Sequence, residues 1–171
     1  MFTKKHFKLS RGFTLVELLI VITIIGILAT LLLLQLGVAR ARARDVKRIA
    51  DVNQLRTAVE LYFDDNGAKY PTALTIANLS KYLTANAVPV DPITNVAYFY
   101  AFNPATNPSQ FHLWTELEQK SASAIAADSD INSSAWAGGN TLDASLAASE
   151  VCTAAFAAGA ARDCIYDQGQ R

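Results

Sequence analysis

Two hydrophobic periods divide the first part of the chain. Residues 18–39 are apolar on every side, with no charged residue among 22 positions. As a helix this run is roughly 33 Å long, enough for a bilayer core of roughly 30 Å. Beyond it the apolar positions narrow to one stripe. Val46, Ile49, Val52, Leu55, Val59 and Tyr62 recur at spacings of three and four, which puts them on one helix face. Lys47, Asp51 and Gln54 take the opposite face. No proline falls within 13–66, so one helix of about 54 residues, roughly 80 Å, is predicted. Its first half suits lipid or a bundle of like helices. Its second half needs a domain to pack on.

Asp64-Asp65-Asn66-Gly67 ends the helix, with Gly67 as its C-terminal cap. A short helix is predicted over 76–83, with Ile76, Leu79, Tyr82 and Leu83 inward. Val88-Pro89-Val90-Asp91-Pro92 reads as a rigid loop. The period then switches to two. In 97–102, Tyr98, Tyr100 and Phe102 share a face; in 111–117, Phe111, Leu113, Thr115 and Leu117 do. His112, Trp114 and Glu116 take the other side of that strand, where His112 and Trp114 read as surface packing. Turn-forming residues join the two strands. An antiparallel hairpin with one face on the long helix is the simplest assembly. Residues 121–140 read as a loop, 142–158 as an alanine-rich helix stopped at Gly159, and 163–166 as a last short strand. The predicted class is α+β: a long N-terminal helix on a small antiparallel sheet.

Charge sharpens the division. Residues 1–12 carry Lys4, Lys5, Lys8 and Arg11 and no acid; residues 13–48 sum to +3 and residues 49–171 to −7. The neutral total hides a basic start and neck before an acidic remainder. Arg40, Arg42, Arg44, Lys47 and Arg48 scatter around the helix rather than along one stripe. Anionic headgroups and acidic neighbouring subunits are their expected partners, and nucleic acid the less favoured one. A basic leader favours a cytoplasmic N-terminus and the basic neck argues against it, so charge leaves orientation open. Ala39-Arg40-Ala41 offers a secretory cleavage site. However, the apolar run exceeds the roughly 7–15 residues of a signal peptide's core.

Glu17 is the odd residue. A carboxylate deep in hydrocarbon costs roughly 2.5–3.5 kcal/mol on insertion scales. It either has a cationic partner, supplied by another subunit, or sits at the interface among headgroups and water.

Gly12-Phe13-Thr14-Leu15-Val16-Glu17, with the apolar run behind it, resembles the class III signal of type IV pilins and type II secretion pseudopilins. Thr14 and Gly26 also match. Leu34 departs from it, since many members carry a proline there. The resemblance implies a leader of residues 1–12, cut by a prepilin peptidase between Gly12 and Phe13. It implies N-methylation of Phe13 and a Glu17 that neutralises the terminal amine of a neighbouring subunit. Residues 13–39 would then be the transmembrane and assembly helix, 40–66 its amphipathic half, and 67–171 the globular head. It also implies an N-terminus inside and a head outside the inner membrane, an assembly platform as partner, and a filament as product. Tyr70-Pro71, Val88-Pro89-Val90-Asp91-Pro92, Asn95, Tyr98 and Tyr100 further resemble the major pseudopilins of type II secretion.

Two groups could add chemistry to the head. Asp128-Ser129-Asp130-Ile131-Asn132, followed by Trp136, clusters hard oxygen ligands suited to calcium. It is not an EF-hand, because Ser133 and Gly139 stand where that motif needs glycine and an acid. It resembles the acidic, calcium-binding loop of major pseudopilins without that loop's upstream glycines. The alternative is a solvated acidic loop with no cofactor. Cys152 and Cys164 are the two cysteines. A continuous helix would hold them about 18 Å apart, against a disulfide span of roughly 4.4–6.8 Å, so a bond needs a chain reversal near Gly159. Resemblance to pilins with a C-terminal disulfide loop implies the bond, and two reduced buried thiols are the alternative. No nucleophile-elbow, phosphate-loop or paired-histidine metal motif is present, so an enzyme is not expected. A structural filament subunit is. The competing readings are a minor, binding pilin and an anchored extracytoplasmic domain that does not polymerise.

Overall fold

The structure is a computed structural model that describes residues 12–119, 121–145 and 164–170. Two compact units divide the chain, 1–39 and 40–171. The long helix, α1, runs Leu15–Asp65 and stays helical through position 34. In the first unit its apolar side chains are exposed, among them Leu18, Ile22, Ile25, Leu28 and Leu32. Thr23 and Thr30 donate their hydroxyls to the carbonyls of Leu19 and Ile27, 2.8 Å in each case. Both polar groups are thus satisfied inside the helix, as an apolar surrounding requires.

In the second unit α1 buries a stripe that includes charged residues. Ala41, Asp45, Arg48, Val52, Leu55 and Val59 are all buried, at spacings of four, three, four, three and four. Val46, expected on this stripe, is 67% exposed; Asp45 and Arg48 hold the inward positions instead. Gly67, at φ 65°, closes the helix together with the Ala68 N–H to Phe63 carbonyl bond of 3.1 Å.

The sheet has three antiparallel strands in the order β1-β2-β3: β1 Phe99–Asn103, β2 Gln110–Glu116 and β3 Ile165–Gln170. Tyr100 pairs with Leu113, and His112 with Gly169. One sheet face joins α1 in the main core, where Tyr98, Tyr100, Phe102, Phe111, Leu113 and Tyr166 cluster with Val52, Leu55 and Val59. The other face holds a second cluster of Trp114, Ile165 and Ala144, with Phe99 stacked on Trp114 at 4.0 Å.

Four expectations need correcting. The helix α2 is only Ile76–Leu79, and Ile76 is exposed. Trp114 and His112 are fully buried, because the chain after β2 folds back over their face of the sheet. That chain is not a featureless loop: it contains the short helix α3, Ala122–Ile125, and buries Ile131 and Ser133. Residues 142–145 are not helical; the Leu142 carbonyl accepts the Ser133 N–H at 2.7 Å, and the Ala144 N–H donates to Ile131 at 3.0 Å. The rest of that expected helix lies outside the described residues. β3 forms where a short strand was expected but continues to Gln170.

Candidate assembly site

At the tip of α1, Gly12 and Phe13 precede the first helical turn, and Phe13 is 80% exposed. Thr14 caps the helix. Its backbone N–H and its hydroxyl donate to Glu17 Oε2 at 2.9 and 2.7 Å, while the Glu17 N–H donates to Thr14 Oγ1 at 3.2 Å. This reciprocal box satisfies helix-end donors that would otherwise lack partners. It also holds the Glu17 carboxylate beside the residue that the predicted cut would turn into the N-terminus. Phe13, Glu17 and the apolar surface behind them therefore lie together at one end of the helix.

The basic neck is not one uniform patch. Arg40, Arg42 and Lys47 are exposed, whereas the other two arginines are engaged inside the second unit. The Arg48 side chain is wholly buried. Its Nε donates to Asp91 at 2.6 Å, and its Nη1 donates to Asp45 at 2.8 Å and Glu118 at 2.6 Å. Arg44 grips Glu118 with two bonds of 2.8 and 2.6 Å. The carboxylates in turn fix the loops. Asp91 accepts the N–H groups of Ile93 and Thr94, and Asp45 those of Glu118 and Gln119, all at 2.8 Å. Burial alone would push the Asp91 carboxyl up, but Arg48 and the Thr94 and Ile93 N–H groups more than offset it and hold it at about 2. Arg44 and then Arg48 likewise hold Glu118 below the usual carboxylate range, against its burial. Burial opposes the charge on Arg48, yet its three carboxylates keep its pKa above the ordinary value. Periodicity based on apolar residues alone misses this cluster. The signal was present in Asp45 and Arg48, three apart and in phase with Val52 and Leu55.

A second buried network lies on the far face of the sheet. His112 Nε2 is 2.9 Å from Asp167 Oδ2, and His112 Nδ1 is 2.7 Å from Ser133 Oγ. The order serine, histidine, aspartate is that of a nucleophilic relay. Here all three are buried, and Ser133 Oγ is also 3.0 Å from both the carbonyl and the N–H of Leu142. The hydroxyl is held by backbone and sealed from any substrate, so the trio is structural.

The candidate calcium ligands Asp128 and Asp130 sit at the start of this covering segment. Among the described residues, no three His, Cys, Asp or Glu side chains gather as a metal-ligand group. The nearby Asp167 carboxylate instead accepts the N–H groups of Ser129, Asp130 and Ile131 at 3.0, 3.0 and 2.9 Å. A calcium site needs oxygens converging on the ion; at Asp167 backbone N–H groups converge on an anion instead. Cys164 is buried beside the main core at the start of β3. Cys152 lies outside the described residues, as do residues 1–11.

Residues 7–33 match the family described as the prokaryotic N-terminal methylation motif. The chain is 39% identical over 80 residues to the type II secretion system core protein G of Klebsiella michiganensis, covering 47% of this chain and 54% of that protein. It is 48% identical over 59 residues to the type IV wide pilus major component PilA4 of Thermus thermophilus, covering 34% and 45%. It is 43% identical over 53 residues to a fimbrial protein of Pseudomonas aeruginosa, covering 31% and 34%. The chain thus spans about half or less of the length of these relatives. No solved structure matches.

Proposed function

We infer that this chain, similar in its first part to pilins and pseudopilins, is a structural subunit that polymerises into a pilus-like or type II secretion pseudopilus filament. The carrying observation is the tip of α1. The matched stretch, residues 7–33, contains one carboxylate, Glu17, held by Thr14 at the head of an exposed apolar helix. Before assembly that helix anchors the chain in the inner membrane, with the leader in the cytoplasm and the head outside. Arg40, Arg42 and Lys47 would face anionic headgroups or the acidic head of a neighbour. A prepilin peptidase frees the Phe13 amine, which is then methylated. On the assembly platform, the amine of an incoming subunit joins Thr14 as a partner of Glu17. In a low-dielectric core this pair penalises any register that leaves either charge alone. Burial of the apolar faces among neighbours supplies the driving force. Cys152 and Cys164 would close a C-terminal loop in the oxidising compartment.

Two measurements test this reading. N-terminal sequencing of the mature protein should begin at a methylated Phe13. Glu17→Val should still insert in the membrane but yield few filaments. A mature protein that retains residues 1–12, or normal filament yield from the variant, overturns the assignment.

A further inference from the structure

We propose that the segment covering the outer sheet face, residues 128–144, is latched by the buried carboxylate of Asp167, with His112 and Ser133, and holds its fold without calcium. The polarity of the segment carries the inference. Asp130 adopts a left-handed φ of 48°, which turns successive N–H groups to one side and makes an anion-binding concavity. Three of them, from Ser129, Asp130 and Ile131, converge on Asp167. The anion is built into β3 and is 1% exposed. His112 Nε2 completes its shell, and His112 Nδ1 meets Ser133 Oγ at the other end of the segment's first turn. Ser133 in turn bonds both backbone groups of Leu142, so one chain of contacts ties β3 and β2 to both limbs of the covering segment. Gly169, paired with His112 in the sheet, leaves the space this requires. A Cβ there would stand 2.6 Å from Ile131 Cδ1 and collide with the Phe111 carbonyl.

Asp167 is thus a positioning residue, filling from inside the protein the place that a cation and its ligands would fill in a metal-held loop. The inference does not depend on the filament reading. The test uses the processed full-length chain in detergent micelles, with calcium ions as the probe. Melting temperature and the rate of proteolytic cleavage within 121–145 are measured in calcium and in excess chelator. The two wild-type profiles are expected to superimpose, and a melting temperature or protection that rises with calcium overturns the latch. Asp167→Asn is expected to speed cleavage in that segment by roughly tenfold or more, the change that losing a charge-assisted bond makes in an opening equilibrium. Wild-type protection in Asp167→Asn overturns the proposal. Should Asp167→Asn fail to fold, Ser133→Ala decides. It leaves the carboxylate in place and removes the hydroxyl's ties to His112 and Leu142, so faster cleavage supports the latch and an unchanged rate rejects it.

Discussion

Arg48 and Asp91 lie 43 positions apart in the chain and meet at 2.6 Å, with the guanidinium wholly buried. Through this pair the helix holds the loop that leads into the sheet, and through Glu118 it holds the chain that leaves β2. A buried ion pair adds little over a well-packed apolar pair, because removing both charges from water costs nearly what their attraction returns. Breaking one is far more costly, since the remaining charges are left buried. Arg48→Met removes the guanidinium that three carboxylates share, leaving Glu118 to Arg44 and Asp91 and Asp45 to their backbone N–H partners. It is expected to cost about 3–5 kcal/mol, read as a lower denaturation midpoint of the head by tryptophan fluorescence. A midpoint equal to wild type would show that the cluster is not structural.

The same cluster sets an acid limit. Asp91 is held at about 2 from an ordinary 3.8, and Glu118 and Asp167 are also lowered. For Asp167, burial acts upward, and the His112, Ile131 and Ser129 bonds outweigh it. A carboxylate whose folded pKa lies below its unfolded one stabilises the fold above the unfolded value. That contribution is lost as pH falls through the folded value. For Asp91 this amounts to about 2 kcal/mol, present above about pH 4 and fading toward pH 2. Stability measured from pH 6 downward should fall most steeply across that window, and Asp91→Asn should flatten the slope. An equally steep fall in the variant would assign the acid sensitivity to other groups.

Sequence pattern made the long helix and the hairpin legible because each announces itself by one local period. The helix from Leu15 to Asp65, the Gly67 stop and the antiparallel pairing of β1 with β2 all follow from spacing and turn chemistry. The motif at the tip, Gly12 to Glu17, is likewise one contiguous stretch. What stayed hidden is long-range. Trp114 reads as half of an outward face until a later segment covers it, with its indole N–H donating to the Asn140 carbonyl at 3.1 Å. Asp167 is separated from its three N–H partners by 36 to 38 positions, and no local rule joins them. Arg48 counts in the sequence among the neck residues expected to meet headgroups or acidic neighbouring subunits, since a charged residue on an apolar stripe only makes sense once its partners from two loops are placed.

The cap at Thr14 yields a prediction separate from that for Glu17 itself. Thr14 supplies Glu17 with two donors, one of them its hydroxyl at 2.7 Å. Losing an N-cap of this kind costs about 1 kcal/mol, small beside the membrane affinity of the helix. Thr14→Val should therefore insert normally yet show reduced filament yield, because its Glu17 is no longer held toward the incoming amine. Thr14→Ser keeps the hydroxyl and should assemble close to wild type. If serine and valine behave alike, the hydroxyl has no part in assembly.

Cys164 stands at the start of β3, 1% exposed and at φ 59°, with its carbonyl accepting the Leu117 N–H at 2.9 Å. It is therefore a fixed, buried end for a cross-link, and a bond to Cys152 would close a loop of about a dozen residues. Such a loop contributes roughly 2–3 kcal/mol by restricting the unfolded chain. The mature protein should be two hydrogens lighter without reductant than with it, and resist alkylation until reduced. Cys152→Ser should lower the midpoint by the loop's share. Cys164→Ser should cost more, because it also places a hydroxyl in the apolar site where the sulfur packed. Two thiols that alkylate freely in unreduced filaments would rule the cross-link out.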